Sequence, residues 1–106
     1  MASRNGFEVI SLRFIFNRCG RAEWRKEDFV REKLNKYLKR YASNTSLKYC
    51  CALLEEGNFV VDVDFSKEVS FVTVINILRK MYPSAGDMLS IGYKEIEKLV
   101  TVSVLC

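Results

Sequence analysis

Histidine is absent from this chain of 106 residues. That removes the commonest general base and the commonest nitrogen ligand for a metal. The five glycines stand apart, at positions 6, 20, 57, 86 and 92, so no glycine-rich loop is available to cradle a phosphate. A single proline, with apolar residues along the whole chain, argues against a disordered linker or tail. No apolar run approaches the roughly 18 residues of a membrane span. The first residues, Met1-Ala2-Ser3-Arg4-Asn5-Gly6, form no signal-peptide core and lack the second-position glycine of a myristoylation site. Nor does a cysteine stand four from the end, where prenylation would need it.

Cysteine is scarce too: Cys19, Cys50, Cys51 and Cys106, with no Cys-x-x-Cys pair. Neighbours on a strand point to opposite faces, so Cys50 and Cys51 are poorly placed to share one zinc ion. Reduced thiols are expected, in an intracellular protein of the cytoplasm or nucleus with no membrane partner. No nucleophile stands beside a base. The expectation is a protein that is not an enzyme and uses no cofactor.

What is present is an ordinary globular composition, 49% hydrophobic and 28% charged, of a length that supports one domain over residues 1–106. The net charge of +4 is unevenly spread. Residues 1–48 hold 12 Lys and Arg against 5 Asp and Glu, a balance of +7; residues 49–106 hold 5 against 8, a balance of −3. The first half is suited to an anionic partner, or to the acidic half of another copy.

Periodicity divides the chain into alternating elements. Phe7 to Phe16 reads as a strand, with Ile10, Leu12, Phe14 and Phe16 on one face. Arg21 to Tyr41 reads as a helix whose apolar stripe is Val30, Leu34, Tyr37, Leu38 and Tyr41. Trp24 and Phe29 fall off that stripe, at a margin of the core or on a contact surface. Leu47 to Leu54 and Phe59 to Phe65 read as a hairpin around Glu55-Glu56-Gly57-Asn58. Ser66 then suits the N-cap of a second helix with Lys67 and Glu68 in its first turn, and Pro83 ends that helix. Met88 to Tyr93 reads as a short strand and Leu99 to Leu105 as the closing one. The order predicts an α+β, ferredoxin-like β-α-β-β-α-β fold, an antiparallel sheet with two helices on one face.

Two groups of residues bear on chemistry. Asp62 and Asp64 leave one face of a strand together, a geometry that can hold Mg²⁺. The plainer reading is a solvated sheet face, with Arg13 on a neighbouring strand as counter-ion. The first helix carries Arg25, Lys33, Lys36, Lys39 and Arg40 opposite its apolar stripe, with Phe29 among them. Such a stripe could track nucleic-acid phosphates or dock an acidic protein. The bland alternative is a solvated helix face supported by i,i+4 neighbours such as Glu32 and Lys36.

Arg13-Phe14-Ile15-Phe16-Asn17 and Asn58-Phe59-Val60-Val61-Asp62-Val63-Asp64-Phe65 fall where the RNA-recognition motif has its signature strands. Val60 and Asp62 stand where that family has stacking aromatics, so only the topology is similar. The whole layout also resembles the adenovirus early-region-four third-open-reading-frame protein family. The likeness is carried by Ser11-Leu12-Arg13-Phe14-Ile15-Phe16, the charged helix from Phe29 to Tyr41, the run from Asn58 to Phe65 leading into Val69 to Met81, and Leu99 to Leu105. It implies a viral early protein of the nucleus, a homo-oligomeric scaffold that binds host proteins. The sequence stops at Cys106, before the apolar tail that this family uses in subunit exchange, so tail-swapped assembly is not expected from it. Nucleic-acid binding through the basic helix is the alternative function.

Overall fold

The computed structural model describes residues 7–17, 23–54, 57–83 and 89–105, without the side chains of Glu23, Trp24 and Leu105. The turn expected before Gly20, the loop at 84–86, Glu55, Glu56, Met88 and the thiols of Cys19 and Cys106 lie outside these residues.

The elements in chain order are β1 (Glu8–Asn17), α1 (Glu23–Tyr41), β2 (Leu47–Leu53), β3 (Phe59–Ser70), α2 (Phe71–Met81), β4 (Leu89–Lys94) and β5 (Leu99–Leu105). They form an α+β fold with a mixed five-stranded sheet in the order β2-β3-β1-β5-β4. This departs from the expected ferredoxin-like arrangement. The segment before the last strand is a full sheet member, and β5 lies parallel to β1 while β4 pairs antiparallel with β5 at the rim. The cause is local. Glu95 to Lys98 reverses the chain, Lys98 adopts a left-handed φ of 51° and its N–H donates to the Glu95 carbonyl. The extra hairpin turns the closing strand round before it meets β1.

The core lies between one sheet face and the two helices. Leu12, Phe14 and Phe16 of β1, Val61, Val63 and Phe65 of β3, and Val100, Val102 and Val104 of β5 meet Val30, Leu34 and Leu38 of α1 and Val74, Ile77 and Leu78 of α2. Strand period two and helix steps of three and four bring these residues to one layer.

At the start of β1 the phase slips. Val9 is fully buried and Ile10 is 41% exposed, the reverse of the expected alternation. The β1–β3 register passes from Val9↔Val69 directly to Ser11↔Asp64. One residue of β1 therefore faces four of β3, and the Ile10 N–H donates instead to the Lys98 carbonyl. The same excursion corrects the helix start. Ser66 belongs to β3, where its N–H donates to the Ser46 carbonyl and its Oγ accepts from the Ser46 N–H. Ser70 caps α2 by accepting from the Thr73 N–H at 3.2 Å. Lys67 and Glu68 lie in the strand and are exposed.

Candidate functional site

α1 holds together as a two-sided helix. Val30, Leu34 and Leu38 repeat every fourth residue and are buried, and Lys39 and Arg40 in its last turn suit the negative end of the helix dipole. Arg25, Lys36, Lys39 and Arg40 are exposed and Lys33 is half-buried, so the sequence-predicted basic stripe does occupy one solvent-facing side. Lys36 Nζ lies 5.6 Å from the Tyr37 ring centroid. Phe29 does not stand among these cations as a free aromatic. It packs against the core, its ring 5.3 Å from that of Tyr82.

Beside the stripe, at the α1 N-terminal end, Phe16, Phe29, Tyr82 and Val104 floor a cleft of about 410 Å³ with Arg25 and Lys26 at its margin. Lys26 Nζ is 5.9 Å from the Phe16 ring centroid. The Tyr82 hydroxyl is buried and has no hydrogen-bond partner among the described residues, and burial pushes its phenol above the ordinary range. Lys26 falls outside the sequence-derived set. Its helical position, between the apolar and basic sides, was the available signal.

On the open face of the sheet Arg13 and Asp62 meet as cross-strand partners. The Arg13 Nε donates to Asp62 Oδ1 at 2.7 Å and Nη2 donates to Oδ2 at 3.1 Å. Both Asp62 oxygens therefore face a guanidinium, as the plainer reading of that carboxylate pair expected, while Asp64 lies two pairs along, opposite Ser11. Among the described residues no three His, Cys, Asp or Glu side chains gather in a way that could hold a metal ion.

The rim of the sheet at β2 has a character of its own. Cys50 is exposed beside Asp62, Cys51 is half-buried beside α1, and Leu53 is 62% exposed. Above this strand the Arg31 guanidinium stands 4.5 Å from the Tyr49 ring centroid, and its Nε donates to Glu27 at 2.8 Å. Burial, with help from Glu27, raises the Cys51 thiol to about 11, and burial raises the Tyr49 phenol to about 12. These groups are held neutral at physiological pH. Periodicity missed this surface because apolar residues on both faces of a strand read equally well as a central position.

No family model, curated protein or solved structure matches the chain. The class that fold and surface define is a small α+β domain with a basic helix face and two sheet edges. Among the described residues no helix is long and apolar enough to cross a membrane.

Proposed function

We propose that this protein works by binding: a non-enzymatic interaction scaffold that self-associates and presents its helical face to other proteins. The observation that carries this reading is the pair of sheet edges. Among the described residues β2 and β4 each have one strand neighbour, and Leu53 and Leu54 are exposed at the end of β2. Unpaired edge groups and exposed apolar side chains favour association between copies. The bidentate Arg13–Asp62 pair supports a structural role for the carboxylate best placed for metal chemistry. The likeness to the adenoviral family adds host proteins as partners and the nucleus as the place of action.

The exposed cations Arg25, Lys36, Lys39 and Arg40, with Lys33 beside them, favour a second reading, in which this stripe binds nucleic acid. Sedimentation over a range of concentrations, with and without duplex DNA or RNA, tests both. Dimers or larger species at micromolar concentration are expected of the first reading. A monomer mass that does not change with concentration overturns it. Co-sedimentation with nucleic acid near physiological salt would establish the second.

A further inference from the structure

We propose that a second copy of this chain docks on the β2 edge, its β2 running antiparallel to this one about Cys50, so that two five-stranded sheets become one of ten strands. The proposal rests on the self-association proposed above and names its surface.

The backbone sets the geometry. Leu54 N–H donates to the Asn58 carbonyl at 2.8 Å, and Ser66 N–H donates to the Ser46 carbonyl at 2.9 Å. Both contacts continue the β2–β3 register in which Cys50 faces Asp62. Bonded residues alternate along an antiparallel ladder. Lys48, Cys50 and Ala52 therefore turn their backbone groups toward β3, and Leu47, Tyr49, Cys51 and Leu53 turn theirs away. Nothing in Leu47–Leu53 blunts this row: the segment has no proline and one charge, Lys48, which sits opposite Asp64.

A two-fold axis at Cys50 matches the row to itself. Leu47 then bonds to Leu53 of the second copy and Tyr49 to Cys51 of the second copy, so the exposed Leu53 is covered by a leucine. Lys48 meets Ala52 rather than another lysine. The charges above the strand match as well. Arg31 stands over Tyr49 and Glu27 lies against Cys51, so pairing Tyr49 with Cys51 brings Arg31 of each copy toward Glu27 of the other. α1 contacts both β2 and β3. With strands ~4.8 Å apart, the two α1 helices come side by side at about 10 Å, the spacing of packed helices. β4 is less suited: Gly92 in its interior brings no side chain to pack and weakens the strand.

Two measurements test the proposal. In sedimentation equilibrium Cys51→Pro removes an N–H that points away from β3, and Leu53→Lys places a charge at the covered position; each should raise the dimer Kd at least tenfold. In crosslinking, the chain with Cys19, Cys51 and Cys106 replaced by serine is oxidised with copper phenanthroline. Opposed Cys50 residues, with Cα atoms ~4.5 Å apart in a non-bonded pair, fall within disulfide reach. They should join at least tenfold faster than the same protein with its one thiol moved to β4 (Cys50→Ser, Ser90→Cys). A wild-type chain that stays monomeric overturns both this proposal and the self-association beneath it. A dimer that keeps its affinity in Leu53→Lys and does not crosslink through Cys50 overturns the β2 edge alone. Circular dichroism checks the fold of Cys51→Pro; should that variant unfold, Leu53→Lys and the crosslink decide.

Discussion

Cys50 and Cys51 are adjacent in sequence but face opposite sides of the sheet, as strand geometry requires; Cys50 is exposed and Cys51 is half-buried beside α1. Burial is the first cause of its raised pKa, Glu27 adds to it, and Arg31 opposes it. The sign of the pH effect follows. A thiol that ionises at its ordinary 9.0 when unfolded but at about 11 when folded adds stability that is complete below pH 9 and is lost as pH rises toward about 11. Tyr49, moved from 10.0 to about 12, extends the loss upward. The urea midpoint should therefore fall between pH 9 and 11, and fall less in Cys51→Ser at the same protein concentration. Equal slopes in the two proteins would refute this account. Alternation of side chains was legible at this scale for Leu12, Phe14 and Phe16. It failed at Val9 and Ile10 because the slip there is caused by extra residues in a partner strand, which no period within β1 can reveal.

At the scale of elements, both helices and all five strands lie close to the segments that periodicity marks out. Their junctions were less legible. Ser66 and Ser70 both precede the apolar run of α2, and Ser66 has acceptable first-turn residues after it. Tertiary pairing decides between them, since Val69 and Ser70 face Val9 and Glu8 as strand partners. Ser70→Ala should lower stability by about 1 kcal/mol through loss of the cap, while Ser66→Ala leaves the helix start unchanged. Because Ser66→Ala also loses the bond from the Ser46 N–H, the helix signal in far-ultraviolet circular dichroism decides: a loss of helix in Ser66→Ala and not in Ser70→Ala would make Ser66 the cap. The β4–β5 turn was obscure for another reason. Glu95-Ile96-Glu97-Lys98 contains none of the residues that usually mark a reversal, and Lys98 takes the left-handed position itself. A β-branched residue tolerates that conformation poorly. Lys98→Val is thus expected to destabilise the protein by roughly 1–2 kcal/mol. Lys98→Gly should be tolerated far better, because its exposed ion pair with Glu68 contributes little; equal losses in the two variants would count against a strained turn.

For the whole molecule, the fold class was legible and the strand order was not. Helical and strand periods report which face of an element is buried, but not which neighbour it meets. The parallel pairing of β5 with β1 links residues about 88 positions apart, such as Ser11 and Leu99, and depends on the turn at Glu95–Lys98. The basic stripe was legible because it needs only the helical repeat. Its role is open to a quantitative test. If Lys36, Lys39 and Arg40 contact phosphates, binding to duplex DNA should weaken with salt, and each contact should add about 0.9 to the log–log slope. Replacing these three residues with glutamine should flatten that slope by roughly two to three units per bound chain. All three side chains are exposed, so each substitution should change stability by less than about 0.5 kcal/mol, and a loss of binding would report the contacts rather than the fold. Retained binding with an unchanged slope would place the contacts elsewhere. Absence of binding by the wild-type chain near physiological salt would remove the nucleic-acid reading. The stripe would then remain a docking face for an acidic protein, which the same three substitutions would weaken in a pull-down at low salt and leave unaffected at high salt, where the attraction is screened.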